Sequence, residues 1–220
     1  MLLELDAGER DDEPEELWAL FDVLNVACGG HAGDDASMAR IAAYCVARER
    51  PRIGAHPSYP DREGFGRRTI AIAEGALAGE IARQCEALAR VAGDVGWVKP
   101  HGALYHDAAA RPELARAVVR GAIAALGPRF AVIGPRAGAL RDAAAAAGLA
   151  YLREGFADRG TRADGSLVPR GEPGAMIDDP ARAAEQARAL VASGTVDTIC
   201  VHGDGKNALA VARAVRAVIG

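Results

Sequence analysis

The sequence has 220 residues, of which 50% are hydrophobic and 25% charged, and its formal net charge at pH 7 is -4. This length can bury one sizeable core, so we expect one α/β domain over residues 1–220. The charge offers no electrostatic footprint for nucleic acid or an anionic membrane, and no apolar run approaches the ~20 residues that span a bilayer.

The cysteines and the N-terminus indicate the compartment. The N-terminus lacks the basic start and long apolar region of a signal peptide. The four cysteines have no Cys-x-x-Cys spacing; they are Cys28, Cys45, Cys85 and Cys200. Free thiols in apolar segments pack as small hydrophobes. We therefore expect a reduced, cytoplasmic protein without a structural zinc site.

Short apolar runs alternate with segments of helical spacing. The seven runs are residues 2–6, 22–27, 52–55, 96–99, 130–134, 150–154 and 198–202. The helical segments are residues 38–46, 73–91, 112–126, 136–147, 205–219 and one that starts at 180. Asp34 or Asp35 is placed to cap the first helix, and Asp179 before Pro180 is typical of a helix start. Repeated strand–helix units predict a parallel sheet with right-handed crossovers.

Polar residues follow six of the seven runs. All five histidines lie at or just after a run; they are His31, His56, His101, His106 and His202. In an open sheet only the strand ends near the switch point converge, whereas in a β/α barrel every strand end faces one rim. The pattern therefore favours a barrel that gathers these groups at one site.

The first group of candidate site residues comes from the first three strand ends. It consists of Asp6, Glu9, His31, His56 and Asp61. Carboxylates and histidines on neighbouring strand ends suit a divalent metal or acid/base catalysis. A purely structural role, such as fixing the turn after Pro60, is the alternative for Asp61.

The second group contains the two lysines of a chain that otherwise uses arginine. Lys99 and Lys206 each lie within four residues of a histidine at the end of an apolar run. A compact ammonium group suits a phosphate or a developing oxyanion. Alternation along a strand places Lys99 and His101 on one face, so we expect both in one pocket. His101 then suits proton transfer.

Residues 203–208 form a glycine-rich turn that opens a helix. Backbone N–H groups there, with Lys206 beside them, suit a phosphate. A turn that simply needs glycine conformations explains the pattern equally well. His202 and Asp204, next to and within this turn, are further candidates for substrate or phosphate binding.

Arginines in glycine- and proline-rich loops are candidates for binding a carboxylate or a phosphate, because guanidinium groups hold both in a bidentate manner. They are Arg67, Arg68, Arg159 and Arg170. Simple solvation is the structural alternative for each.

Seven motifs taken in order resemble one family. They are Cys-Gly-Gly-His-Ala-Gly-Asp (28–34), Gly-Ala-His-Pro-Ser-Tyr-Pro-Asp (54–61), Gly-Phe-Gly-Arg-Arg (64–68), Val-Lys-Pro-His-Gly-Ala-Leu-Tyr (98–105), Glu-Gly-Phe-Ala-Asp-Arg (154–159), Asp-Gly-Ser-Leu-Val-Pro-Arg (164–170) and Val-His-Gly-Asp (201–204). Over nearly the whole chain these motifs resemble the LamB/YcsF family, the A subunits of bacterial ATP-dependent 5-oxoprolinase. Family members usually open with Asp-Leu-Asn-Cys-Asp-Leu-Gly-Glu; Asp6 and Glu9 match it, and Glu4 replaces the asparagine.

The resemblance implies a fold and a reaction. The fold is a seven-stranded parallel β/α barrel, a distorted TIM-like barrel related to the polysaccharide deacetylases. The reaction converts 5-oxoproline, ATP and water into glutamate, ADP and phosphate, with Mg²⁺ accompanying ATP. The resemblance also implies partner B and C subunits of the allophanate-hydrolase type. Self-association is left open.

That reaction needs cations for phosphates, donors for the amide oxygen and a proton shuttle. We assign Lys99 to the phosphate or the amide oxygen, and Lys206 to a second phosphate contact. His56 and His101 are the acid/base candidates.

The remaining candidates have supporting roles. Asp6 and Glu9 orient water or hold magnesium through their carboxylates. Arg67 or Arg68 binds the substrate carboxylate.

Two other classes of protein stay open. One is a metal-dependent, deacetylase-like hydrolase of a small amide or carbohydrate, which would use Asp6, His31 and His56 without ATP. The other is a non-catalytic subunit that presents the lactam to its partners.

Overall fold

A closed barrel of parallel strands forms the centre of the molecule. The computed structural model describes residues 1–162 and 166–220, and within them seven strands pair in chain order, with the last strand pairing back to the first. The strands are β1 (Leu2–Ala7), β2 (Val23–Ala27), β3 (Arg52–His56), β4 (Trp97–Val98), β5 (Ala131–Gly134), β6 (Ala150–Phe156) and β7 (Thr198–His202). The predicted barrel and its seven strand segments are confirmed.

The helices follow the strands around the barrel. Within the described ranges they are α1 (Glu15–Trp18), α2 (Asp35–Val46), α3 (Glu74–Ala92), α4 (Gly102–Ala110), α5 (Pro112–Leu126), α6 (Ala139–Ala146), α7 (Pro180–Ser193) and α8 (Ala208–Ile219). Asp34 caps α2 by accepting the N–H of Ser37, and Asp179 caps α7 by accepting the N–H of Arg182. Both predicted helix starts are therefore confirmed.

Two predicted helix starts were wrong, and one helix was not predicted. α6 and α8 each begin three residues later than predicted, at Ala139 and Ala208. The predicted helical segments do not include α4, which begins at Gly102 and carries His106. Gly102 has φ +59°, and a Cβ atom there would lie 2.5 Å from the carbonyl oxygen of Gly66. Glycine at position 102 therefore allows α4 to begin in close contact with the loop that contains Gly66.

Alternation along β1 separates the two faces of the sheet. Leu3, Leu5 and Ala7 are buried in the main hydrophobic core with residues of the helices. Glu4 and Asp6 lie on the opposite face and are also buried, at 0% and 3% exposed. A strand buried on both faces usually carries apolar residues throughout. The buried acids of β1 therefore need polar partners inside the barrel.

The described helices also bear on membrane association. None of them is both long enough and apolar enough to cross a lipid bilayer.

Candidate active site

The carboxyl ends of the strands surround a cavity of about 410 Å³. Asp6, His56, Lys99, His101 and His202 lie in its wall. Residues predicted from separate strand ends therefore do meet at one rim, as expected for a β/α barrel. A second cavity of about 610 Å³ adjoins the first near α7 but shares none of these five residues. We therefore place the candidate site at the first cavity.

Inside the barrel, Lys99 is surrounded by acidic groups. Its Nζ atom lies 2.7 Å from Asp6 Oδ1, 2.5 Å from Glu154 Oε1 and 3.8 Å from Glu4 Oε2. It also donates to the Cys200 sulfur, at 3.2 Å. Lys99 itself is 2% exposed. We call Glu4, Asp6, Lys99, Glu154 and Cys200 the lysine cluster.

The electrostatics of the lysine cluster keep its cation charged. Burial alone would lower the pKa of Lys99, but Asp6, Glu154 and the other acids raise it well above its usual value. Burial favours the neutral form of Asp6, yet His56 and Lys99 hold its pKa well below the usual range. Burial raises the pKa of Glu154 well above normal. Lys99 and Asp6 therefore form a buried ion pair, and burial favours the protonated form of Glu154.

A second polar group lies beside the first. Three imidazoles surround one carboxylate oxygen, Glu9 Oε1, which lies 3.0 Å from His31 Nε2, 3.0 Å from His101 Nδ1 and 3.7 Å from His56 Nε2. His56 Nε2 is also 2.9 Å from His101 Nδ1. The rings of His31 and His101 stack in parallel, with their centroids 3.6 Å apart. We call Glu9, His31, His56 and His101 the histidine cluster.

Burial governs protonation in the histidine cluster. It lowers the pKa of His31 to about 3 and also lowers that of His101. Burial would raise the pKa of Glu9, but the neighbouring imidazoles of His101 and His31 hold it well below its usual range. The carboxylate of Glu9 is therefore ionised.

A turn after β1 gives Glu9 its position. The strand ends at Ala7, and Gly8 has φ +72°, which turns the chain. The buried carboxylate of Glu13 then accepts the N–H groups of Gly8 and Glu9, at 2.9 and 3.2 Å, and that of the Trp18 indole at 3.0 Å. The turn directs Glu9 into the histidine cluster while Asp6 stays with Lys99.

His202 forms a pair with an acid that the sequence analysis did not single out. Asp158 accepts the backbone N–H of His202 at 2.7 Å, and both of its oxygens lie 3.0 Å from His202 Nδ1. The Nε2 atom of His202 lies 3.8 Å from Asp6 Oδ2. Burial lowers the pKa of His202, but Asp158 and Asp6 more than offset it, so the pKa is raised. This imidazole is therefore held for proton transfer next to the cavity.

The predicted arginines have different positions. Arg67 and Arg170 both pair with Asp204, at 3.0 and 2.8 Å, at the mouth of the cavity. Arg68 pairs instead with Asp61, whose carboxylate also accepts the N–H of Gly64.

Arg159 and Lys206 complete the set of predicted cations. The Arg159 guanidinium donates to the carbonyl oxygens of Ala175 and Val168, so it holds the loop that lines the cavity. Lys206 is exposed, and α8 begins only at Ala208. The cavity wall does not include Lys206. The structure therefore places Arg67, Arg159 and Arg170 in the cavity wall, but not Lys206, Arg68 or Asp61. Asp204 reaches the site through its ion pairs with Arg67 and Arg170.

Several functional neighbours were missed from the sequence. They are Glu4, Glu13, Glu154, Asp158 and Cys200. The available signal is a charged residue within a strand that is buried on both faces, and Glu4 shows it. Glu154 is buried near the end of a strand that is only partly buried. Asp158 carried no such signal because it follows the end of β6.

The donor atoms show which metal or cofactor the site fits. Mg²⁺ prefers oxygen ligands. Asp6 is committed to Lys99, and Glu9 faces three nitrogen atoms. Glycine-rich residues 203–205 do precede α8, but Lys206 projects from an exposed position. The candidate residues for Mg²⁺ and ATP therefore do not fit those groups, and we route no step of the chemistry in this chain through them.

The fold and the site define a class: a parallel β/α-barrel protein with its polar residues gathered at the strand ends. The chain belongs to the LamB/YcsF family, whose model matches residues 6–220. It is 42% identical to proteins named as the A subunit of 5-oxoprolinase from Methylococcus capsulatus and Symbiobacterium thermophilum, over 97% of this chain and 90% and 89% of theirs. The crystal structure of a lactam utilization protein from Thermus thermophilus superposes with a TM-score of 0.90. That protein is 32% identical, and the match covers 100% of this chain and 95% of the other.

Proposed function

We propose that this chain is the A subunit of an ATP-dependent 5-oxoprolinase, which hydrolyses the cyclic amide bond of 5-oxoproline and releases L-glutamate. Relatives of that name match it along 97% of its length. The observation that carries the proposal is the cavity, which places a paired histidine at its base and arginines at its mouth. This arrangement suits a small anionic amide.

The mouth of the cavity would bind the substrate carboxylate. A volume of about 410 Å³ lies within the usual range for small-molecule sites. Arg67 and Arg170 share the carboxylate of Asp204, so a substrate carboxylate has two guanidinium groups available at that place. We assign Arg67 and Arg170 to this contact, in place of Arg68.

His202 would transfer the proton. An amide nitrogen leaves only when it is protonated, and a positioned imidazole can supply that proton. Asp158 fixes Nδ1 of His202, which leaves Nε2 for the reacting group. We therefore assign acid/base work to His202 rather than to His56 and His101, which are engaged with Glu9 and with each other. Lys99 then acts by holding Asp6 ionised and in place.

The ATP-dependent step would belong to the partner subunits. ATP transfers a phosphoryl group to the amide oxygen, which turns that oxygen into a leaving group. The ring carbon thereby becomes susceptible to nucleophilic attack by water. The residues of this chain do not fit Mg²⁺ and ATP, which supports placing phosphoryl transfer on B and C subunits of the allophanate-hydrolase type. We also propose that the protein is located in the cytoplasm.

One observation favours a second candidate function. Three histidines and a glutamate lie together beside the cavity. Such a group is compatible with a metal-dependent hydrolase of a small amide that works without ATP. Dependence of product formation on ATP separates the two candidates.

The test is a reconstitution of the chain with its B and C partners. We expect ATP hydrolysis and glutamate formation that depend on 5-oxoproline, and a His202→Asn variant that lowers kcat by a factor of roughly 10²–10⁴. Arg83→Gln, an exposed change on α3, is the matched control and retains activity. Absence of lactam-dependent phosphate release from folded, associated subunits would contradict the proposal.

A further inference from the structure

Each of two histidines uses one ring nitrogen for a hydrogen bond to a backbone carbonyl, and its other ring nitrogen faces the cluster. Carbonyl oxygens only accept hydrogen bonds, so His56 Nδ1 donates to the carbonyl of Lys99 at 2.8 Å, and His101 Nε2 donates to that of Phe65 at 3.0 Å. A neutral imidazole carries one N–H. His56 Nε2 and His101 Nδ1 therefore hold lone pairs, and they face each other at 2.9 Å.

With these rings in their neutral form, the arrangement directs lone pairs from several ligand atoms toward one point. Glu9 Oε1 lies 3.0 Å from His101 Nδ1 and from His31 Nε2, and 3.7 Å from His56 Nε2. Among the described residues, the ion-pair partners of Glu9 are these three histidines. Lone pairs at such distances repel one another unless a cation lies between them.

The distances fit a four-coordinate metal ion. Tetrahedral bonds of about 2.0–2.1 Å put neighbouring ligand atoms about 3.3–3.4 Å apart. Four of the six separations between ligand atoms run from 2.9 to 3.7 Å, and all four ligand atoms lie within 4.8 Å of one another. Histidine ligands of metals usually donate their other N–H to a carbonyl, as His56 and His101 do here.

We propose that Glu9, His31, His56 and His101 form a binding site for one divalent transition-metal ion of the zinc type. Imidazole nitrogen with one carboxylate oxygen suits Zn²⁺ and Co²⁺ rather than Mg²⁺. Asp6, on the cavity side, places Oδ2 3.4 Å from His56 Nε2 while Oδ1 holds Lys99.

Two further atoms of the cluster have unused hydrogen-bonding capacity. Glu9 Oε2 and His31 Nδ1 are buried and have no hydrogen-bond partner among the residues described. A second carboxylate oxygen allows Glu9 to bind an ion with one oxygen or with both. Unsatisfied buried polar atoms are rare in folded proteins and call for an explanation.

Phe65 adds evidence that the cluster is built for a purpose. It is a non-glycine residue with φ +54°, a strained backbone conformation that often occurs at functional sites. In this conformation its carbonyl accepts from His101, and its ring packs edge-on against His31 and His101 at 5.3 and 5.5 Å. The strained residue thus orients one ligand and shields two.

A second group of potential ligands gives a useful contrast. Asp6, Cys200 and His202 are also close enough together to hold an ion. However, Lys99 Nζ already lies 2.7 Å from Asp6 and 3.2 Å from the Cys200 sulfur. A cation is therefore built into that position, and we propose no metal there.

The test is equilibrium metal binding by the full chain without substrate or partner subunits, so its outcome is separate from that of the proposed function. The chain is stripped with a chelator and titrated with Zn²⁺, Co²⁺ and Mg²⁺ by calorimetry. We expect one equivalent of Zn²⁺ to bind, Co²⁺ to give the strong visible absorption of a four-coordinate site, and Mg²⁺ not to bind.

Variants locate the ion. Glu9→Gln and His31→Gln should each weaken Zn²⁺ binding by about 100-fold or more, whereas His106→Gln, a histidine of the same cavity outside the cluster, should bind as the unaltered chain does. If one ligand variant fails to fold, the Co²⁺ spectrum of the unaltered chain still decides. Failure of the folded, stripped chain to bind Zn²⁺ or Co²⁺ would overturn the proposal and show that a proton occupies the cluster. Binding that Glu9→Gln and His31→Gln leave unchanged would overturn it too.

Discussion

The lysine cluster and the histidine cluster are neighbours, and each compensates the charge of a buried carboxylate in a different way. Both bury a carboxylate from the end of β1, Asp6 in one and Glu9 in the other, at 3% and 8% exposed. Asp6 has a lysine ammonium 2.7 Å away, whereas Glu9 has imidazole nitrogens at 3.0 Å. The first cluster carries its positive charge in the chain. In the proposed metal site, the second cluster takes its positive charge from an ion in solution, so it would respond to the supply of that ion.

The largest effect should come from removing the built-in cation. Lys99→Met removes the ammonium group 2.7 Å from the buried carboxylate of Asp6 and leaves that carboxylate only the more distant imidazoles of His56 and His202, so we expect the free energy of unfolding to fall by about 3–5 kcal/mol. Urea denaturation measures it, and any folded fraction should lack turnover in the reconstituted enzyme. Glu154→Gln is the matched control: burial favours the protonated form of Glu154, so the isosteric amide should cost less than about 1 kcal/mol. Equal losses in the two variants would contradict the assigned charges.

Adding Zn²⁺ should stabilise the folded protein, and it should do so through the histidine cluster alone. Zn²⁺ at 100 times its Kd should raise the free energy of unfolding by about 2.7 kcal/mol, because it binds the folded state. Glu9→Gln should lose this gain, whereas Glu154→Gln should keep it. Thermal unfolding of the stripped proteins, with and without Zn²⁺, measures the difference. A gain that survives in Glu9→Gln would place the ion elsewhere.

The pair of Asp158 and His202 should make stability depend on pH in a defined window. The raised pKa of His202 contributes stability below the unfolded value of about 6.5, and this is lost as pH rises through the folded pKa. Burial raises the pKa of Asp158, but His202 lowers it further, so its contribution is lost as pH falls below about 4. Asp158→Asn should thus cost about 1.5 kcal/mol between these limits and less above them. A loss that does not vary with pH would mean that the pair is not charged.

The smallest effect should come from a residue outside both clusters. Asp34 caps α2 in a reciprocal arrangement with Ser37, with hydrogen bonds of 2.8 and 2.9 Å. Asp34→Ala should cost about 1 kcal/mol in urea denaturation and leave Zn²⁺ binding unchanged. A change in metal affinity would show that α2 transmits strain to His31, which precedes it in the chain.

Most of the fold could be predicted because hydrophobic runs fix the strands independently of their neighbours. The run at 198–202 and the strand Thr198–His202 coincide, as do the predicted and observed α5. α4 was missed because Pro100 and Gly102 are typical of a loop. Gly102 is instead a place where two backbones approach closely, and that contact with Gly66 is absent from local sequence.

The site was predicted less completely, because strand alternation applies only while the strand lasts. β4 ends at Val98, so Lys99 and His101 leave it in different directions; both line the cavity, but they belong to different clusters. Asp6 and Glu9 were predicted to act together, whereas the turn at Gly8 delivers Glu9 to the histidines and Asp6 stays with Lys99.

The positions of the two clusters in the chain also set the order in which they are completed during synthesis. β1 pairs with β7, with Asp6 opposite His202 in the register. All four members of the histidine cluster lie within residues 9–101, whereas the lysine cluster needs Glu154 and Cys200. A ribosome therefore finishes the metal ligands with less than half of the chain made, and it supplies the last partner of Lys99 only near the end. Completion of the ion site and sealing of the barrel are separate steps of biosynthesis, although one strand serves both in the finished protein.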